Sequence, residues 1–149
     1  GRTVSFKNCI IIMTSNLGSD IILQAKKLDK KVEEQVQQIL YKTFRPEFLN
    51  RIDEIVYFNS LNAEMIKEIT QLQIKKLAQR LQAQGIGLNV AEKAVDEIAE
   101  RGYEPEFGAR PLKREIQRSL VVPISQYLLQ HPDTKEITVS LKNNMITIT

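Results

Sequence analysis

The sequence predicts an α/β segment over residues 1–59, with parallel-sheet strands plus helix, followed over residues 60–149 by an α+β domain of helices with a short three-stranded sheet. Asn8 to Thr14 is a near-continuous apolar run, the pattern of a strand covered on both faces in a parallel sheet. Beyond Asn62 the apolar residues recur at helical spacing. At the end of the chain Ile137, Val139 and Leu141 alternate with polar residues, Lys142-Asn143-Asn144 turns, and Ile146 and Ile148 return as a hairpin.

The chain has 149 residues, 42% of them hydrophobic, enough to bury one core of ordinary size or a small domain plus part of another. Charged residues make up 26% with both signs interspersed, and a net charge of +3 is too small and scattered to mark a nucleic-acid or membrane surface. One cysteine, Cys9, and one histidine, His131, leave no disulfide framework, no metal cluster and no partnered histidine base. No run reaches transmembrane length and the N-terminus lacks a signal-peptide layout, so a soluble, reducing, cytoplasmic setting is expected.

A strand at Asn8–Thr14 needs neighbours on both sides, and Gly1 to Lys7 supply none; preceding strands and helices are therefore expected upstream. Ser15-Asn16-Leu17-Gly18-Ser19-Asp20 then falls at the carboxyl end of the strand, where ligands sit in open α/β sheets. From Asp20 to Phe44 the pattern is helical, with Val32, Val36, Ile39, Leu40 and Phe44 on one face. The Lys26, Lys27, Lys30 and Lys31 cluster reads as solvated surface.

Pro46 forces Arg45 out of the helical region and stops that helix near Phe44. Phe44, Phe48 and Leu49 can anchor the corner to a core, and Ile52, Ile55, Val56 and Phe58 read as a second buried strand. Arg51 stands at this rigid corner, with Glu47, Asp53 and Glu54 close enough in sequence to pair with it.

Asn62 is a helix N-cap, and the helix runs to about Gln84 with Ile66, Ile69, Ile74, Leu77 and Leu81 on one stripe. Gly85-Ile86-Gly87 ends it, and Leu88-Asn89-Val90 is a short strand. A second helix over Ala91–Arg101 closes on Gly102 at the C′ position. Tyr103 to Leu112 is a tight loop entering a third helix, with Pro111 near its first position. Leu112, Ile116 and Leu120 continue the apolar face until Pro123, expected to break or kink the helix before another reaches Leu129.

Arg110 poses a physical question, because a cation in the first helical turn opposes the macrodipole. A bound anion would offset that, and so would an ion pair with Glu104 or Glu106. Asn16 is open in the same way, a turn residue or a side chain that orients water beside a phosphate.

Thr14-Ser15-Asn16, then Phe44-Arg45-Pro46-Glu47-Phe48 leading to Asn50-Arg51-Ile52-Asp53, then Gly108-Ala109-Arg110-Pro111-Leu112-Lys113-Arg114 follow one another in a telling order. Over essentially the whole chain this resembles the C-terminal part of the second nucleotide-binding module of ClpB-type AAA+ disaggregases. The resemblance implies that residues 1–59 are the C-terminal portion of a AAA+ large subdomain and residues 60–149 the small domain. Position by position, it implies that Asn16 is sensor 1, that Arg51 is an arginine finger acting in trans, and that Arg110 is sensor 2, on the phosphates of its own subunit's nucleotide.

The same resemblance implies ATP with Mg²⁺ as cofactor of the intact parent, with neither held tightly by this stretch alone. Its partners would be other subunits of a homo-oligomeric ring, a hexamer, together with unfolded or aggregated polypeptide and a co-chaperone system. Neither a membrane nor a nucleic acid is expected among them. Such a parent would be a cytoplasmic stress-response chaperone with a coiled coil elsewhere in its chain. No G-x-x-x-x-G-K-[ST] loop and no apolar strand ending in paired acids occur here, so ATP hydrolysis is expected only of the parent.

Two other functions fit parts of the pattern. An unfoldase feeding a Clp peptidase would carry an Ile-Gly-Leu or Ile-Gly-Phe loop after sensor 1. That tripeptide occurs only as Ile86-Gly87-Leu88, where the glycines serve a turn and Leu88 opens a strand. A non-enzymatic binding module would instead use the basic surface around Lys113, Arg114 and Arg118.

Overall fold

Two short polar side chains start the two longest helices. Asp29 Oδ1 accepts the Val32 N–H at 3.0 Å, and Asn62 Oδ1 accepts the Met65 N–H at 2.8 Å. Each satisfies a donor that the helix itself cannot. The computed structural model describes residues 3–25, 27–105 and 107–149. The chain divides into two units, Gly1–Asn59 and Ser60–Thr149.

The first unit contains α1 (Ser19–Gln24), α2 (Lys30–Thr43) and α3 (Pro46–Leu49). Val32, Val36 and Leu49 are its buried apolar side chains among the described residues. Gly18 precedes α1 at φ +75°, and a Cβ there would stand 2.8 Å and 2.9 Å from the Val36 methyl carbons. Only glycine lets α1 start so close to α2.

Three expectations are corrected in this unit. The single helix over Asp20–Phe44 is two: Ala25 leaves α1 with an extended ψ of 132°, and Asp29 caps a fresh start. The cap captures a donor that a continuous helix would have bonded internally. The expected strands at Asn8–Thr14 and around Asp53–Phe58 form no ladder, and among the described residues the amides of Ile10 to Thr14 donate no backbone hydrogen bond. A parallel strand exists by virtue of its neighbours, and no described residue of this chain pairs with either segment. Ile10 is accordingly 92% exposed and Ile12 85% exposed. Phe48, expected to anchor the corner in a core, is 41% exposed and leans on Phe44, ring centroids 5.2 Å apart, while Leu49 is the buried anchor.

The second unit is built from α4 (Ala63–Gln82), β1 (Gly87–Val90), α5 (Glu92–Arg101), α6 (Arg110–Ile116), α7 (Val122–Gln130), β2 (Glu136–Lys142) and β3 (Met145–Ile148). β2 is central, parallel to β1 with Leu88 opposite Ile137, and antiparallel to β3 with Val139 opposite Ile148. Asn143 and Asn144, both at positive φ (49° and 57°), make the two-residue turn between β2 and β3. Asparagine tolerates that conformation better than other side chains. Ile137 and Val139 point inward with no exposed surface and meet Ile66, Ile98, Leu112 and Leu120 in one core.

Pro123 neither breaks the chain's helical course nor opens a loop. A π-helical turn, Gln117–Val121, joins α6 directly to α7. Its wider repeat helps Leu112, Ile116, Leu120 and Ile124, each four residues apart, stay buried on one side. On an ideal α-helix those steps would drift by about 120°. Glu115, only 6% exposed, braces the turn by accepting from Arg118 at 2.6 Å and from the Ser119 hydroxyl at 2.5 Å.

Gly102 also departs from expectation. It follows α5 at φ −89°, outside the left-handed region of a C′ glycine. A Cβ on it would lie 2.8 Å from Leu112 Cα and 3.0 Å from the Ile98 carbonyl oxygen, so what it supplies is space.

Candidate functional site

Asn16 sits in the approach to α1. Its carbonyl accepts the Ser19 N–H at 3.1 Å, and the neighbouring Ser15 hydroxyl accepts from the Leu17 N–H at 3.2 Å. The backbone here is a closed turn ending at the tightly seated Gly18. The Asn16 side chain is exposed and makes no hydrogen bond among the described residues. Both its amide hydrogens and its carbonyl are thus available to a ligand.

Arg51 is held by a denser set of backbone bonds. Phe48 N–H donates to Arg45 O at 3.0 Å, Asn50 N–H to Pro46 O at 2.9 Å, Arg51 N–H to Phe48 O at 3.0 Å and Ile52 N–H to Leu49 O at 3.1 Å. Pro46 lies at the start of α3, where its missing N–H costs nothing. The backbone is thus fixed while the side chain is exposed. Among the described residues its guanidinium pairs with none of Glu47, Asp53 or Glu54. Spacing favoured such a pair, and none forms.

Arg110 opens α6, with Pro111 next to it. It too is exposed and, among the described residues, forms no ion pair; Glu106, one of its two suggested partners, lies outside those residues. The preceding loop is closed by Gly108 N–H donating to Glu104 O at 3.0 Å and by Phe107 N–H donating to the same oxygen at 3.1 Å. Gly108 takes φ +61°, as that closure requires. Lys113 and Arg114 are exposed, but Arg118 is engaged by Glu115, which weakens the basic surface suggested for a protein- or nucleic-acid-binding module.

Asn16 and Arg51 belong to the first unit and are not bonded to one another; Arg110 belongs to the second. Taken singly, the Asn16 amide and the Arg51 and Arg110 guanidiniums are hydrogen-bond donors of a kind that suits phosphate oxygens. Among the described residues no group of three or more His, Cys, Asp or Glu converges as a metal site. Ile86-Gly87-Leu88 is tied down: Ile86 N–H donates to Leu81 O at 3.0 Å, Gly87 N–H to Lys135 O at 2.7 Å, and Leu88 is in register with Ile137.

Elsewhere, burial raises the Tyr57 phenol above its ordinary pKa, with Glu33 and Tyr41 adding to the effect. Two residues of the Arg110 region escaped the sequence reading, Gly102 as a spacer and Tyr103 as a tether. The only sequence signal for either was their place beside the Gly108-Ala109-Arg110 loop.

Comparisons with known proteins agree along the chain. The family model for the C-terminal, D2-small domain of ClpB protein matches residues 61–141, and that for the AAA domain (Cdc48 subfamily) matches residues 1–55. The chain is 50% identical over 133 residues to chaperone protein ClpB 1 of Thermosynechococcus vestitus, covering 87% of this chain and 15% of that protein. It is 46% identical over 149 residues to chaperone protein ClpB of Bdellovibrio bacteriovorus, covering 100% of this chain and 17% of the relative. It spans, then, under a fifth of these relatives' length. Among solved structures it is similar to the S. cerevisiae Hsp104:casein complex in its extended conformation, with a TM-score of 0.82 and 33% identity over 95% of this chain and 26% of that one.

Proposed function

We propose, for a chain that belongs to the ClpB family, that it supplies nucleotide-sensing and subunit-coupling residues to an ATP-dependent, ring-forming protein disaggregase. In this reading residues 1–59 close the large subdomain of the second AAA+ module, from sensor 1 to the arginine finger, and residues 60–149 form its small domain. Asn16 orients the attacking water near the γ-phosphate. Arg51 reaches the nucleotide of the neighbouring subunit, and Arg110 reaches the nucleotide of its own.

The observation that carries the reading is Arg51: a backbone pinned on both sides and a guanidinium that none of three nearby carboxylates has taken. Holding an exposed arginine in one place without a partner is useful if the partner arrives from outside. Phosphoryl transfer spreads charge over the γ-phosphate oxygens, and a guanidinium delivered there is worth about 10³–10⁵ in rate. Because the neighbour supplies it, hydrolysis depends on assembly. Nucleotide bound with Mg²⁺ provides the reacting phosphoryl group; this chain contributes the groups that position water and stabilise charge.

The remaining assignments extend the same reading. The ring is a hexamer of identical subunits in the cytoplasm, working with a co-chaperone system. The Hsp104 relative is named in complex with casein, and unfolded or aggregated polypeptide is the corresponding substrate here. No helix among the described residues is long and apolar enough to cross a membrane.

The test uses the full-length protein with its first nucleotide module silenced. Arg51→Ala should bind nucleotide with near-normal affinity and lose turnover. Mixing it with subunits that have an intact Arg51 but cannot bind nucleotide should restore turnover at the sites of the Arg51→Ala subunits. Failure of mixing to restore it would contradict action in trans, and full turnover by Arg51→Ala alone would remove the assignment.

A further inference from the structure

Among the described residues the Arg110 side chain makes no hydrogen bond or ion pair that would fix its position. Its helix is held from one side by Gly102, whose bare Cα lets the backbone of Leu112 approach. The loop before it is tied to Leu61 at its start. At the start of the loop the Tyr103 hydroxyl, on a half-buried side chain, donates to the Leu61 carbonyl at 3.3 Å. Near its end, a Cβ added to Gly108 would come no closer than 3.8 Å to Leu61 Cδ1, so the glycine there serves its positive φ rather than a close approach. Between these points Glu104 and Gly108 form an isolated bridge, and Arg110 N–H donates to Phe107 O at 3.4 Å.

Leu61 immediately precedes Asn62, the N-cap of α4, so the loop is moored to the start of the longest helix of the unit. Tyr103 N–H also donates to Glu100 O at 3.2 Å, which fixes the tyrosine to the end of α5. The Tyr103 hydroxyl thus ties the residue that opens the loop to the segment that starts α4. We propose that Tyr103 is a positioning residue for Arg110, its hydroxyl tying Tyr103, where the chain leaves α5 on its way to Arg110, to Leu61 and so setting where the Arg110 guanidinium is presented to a nucleotide phosphate. The inference rests on Arg110 being the phosphate-facing residue proposed above.

Tyr103→Phe removes one oxygen and keeps the ring. A single hydrogen bond to a partly buried carbonyl, spent on positioning, should appear as a loss of about three- to ten-fold in affinity. The experiment is a double-mutant cycle with Arg110→Ala in the full-length protein, first module silenced, reading the binding of a fluorescent ADP analogue together with the thermal midpoint. Tyr103→Phe alone should weaken binding by that factor, and on the Arg110→Ala background it should weaken it no further.

Normal binding by Tyr103→Phe while Arg110→Ala binds weakly would overturn the positioning role and leave the Arg110 assignment standing. An equal loss on both backgrounds would show Tyr103 acting independently of Arg110, and would also overturn it. Unchanged binding by Arg110→Ala alone would instead refute the underlying assignment. A shift of the thermal midpoint common to both backgrounds separates any general loss of stability from the loss of positioning.

Discussion

Gly102 and Leu112 meet backbone to backbone: a Cβ on the glycine would lie 2.8 Å from Leu112 Cα and 2.7 Å from its Cδ1. Side-chain rotation can relieve the second contact but not the first. Leu112 is itself 1% exposed and central to the core, so its backbone cannot withdraw without moving Ile116 and Leu120. Gly102→Ala should therefore destabilise the second unit by about 1–3 kcal/mol, as overpacking does in well-filled cores. Urea unfolding followed by circular dichroism measures this, and an unchanged midpoint would show that α5 and α6 can separate freely.

Arg51→Lys separates charge from shape. Lysine keeps the positive charge but lacks the planar fork that meets two phosphate oxygens at once. The proposed role predicts at least about a tenfold loss of turnover in the assembled full-length protein, a modest part of the effect documented for arginine fingers. Stability should not move, because the guanidinium forms no ion pair among the described residues. Steady-state ATPase assays beside a thermal melt distinguish the two effects. Wild-type turnover by the lysine variant would reduce Arg51 to a nonspecific charge.

Lys67 gives the second unit a dependence on alkaline pH. It bridges α4 and α5, with Nζ 2.6 Å from Asp96 Oδ1 and 3.3 Å from Glu92 Oε1. The hydrogen bonds to Asp96 and Glu92 raise its pKa above the ordinary 10.5. A raised pKa in the folded state means the contribution is fully present below the unfolded value and is lost as pH climbs through the folded one. The stability gap between wild type and Lys67→Gln should thus be constant near neutrality and close at pH above about 10.5. It should also narrow with added salt, since the pair is exposed. A gap that persists at high pH and high salt would point to packing of the lysine stem.

What the sequence disclosed depended on the range of the interaction. The Asn62 cap, the helical stripe through Ile66 and Leu81, and the Asn143-Asn144 turn are decided within a few residues and were legible. Gly102 was legible as important but not in kind, because a glycine after a helix can serve a left-handed φ or a close approach, and only Leu112, distant in sequence, decides which. Pro123 invited a break that the π turn at Gln117–Val121 absorbs. Residue types and order marked Asn16, Arg51 and Arg110 as candidates, yet spacing could not tell that Arg51 would form no pair with its three neighbouring carboxylates.

The two expected strands of the first unit lead to a prediction about protection. Asn8–Thr14 has the composition of a doubly covered strand, but its described residues are exposed and Ile10 to Thr14 donate no backbone hydrogen bonds. Composition records the surroundings in which a segment is stable; a ladder requires the partner backbone to be there. In the 149-residue polypeptide the amides of Ile10 to Thr14 should exchange with solvent far faster than those of Ile137 to Leu141, which lie in the central strand of a packed sheet. The exposed Cys9 thiol offers a second reading of the same segment and should react with a thiol reagent at close to the rate of a free peptide. In the assembled full-length protein, if neighbouring strands cover the segment as the proposed module requires, both measures should slow by orders of magnitude. Fast exchange and fast labelling there would mean that the apolar run is not a sheet strand in the working molecule.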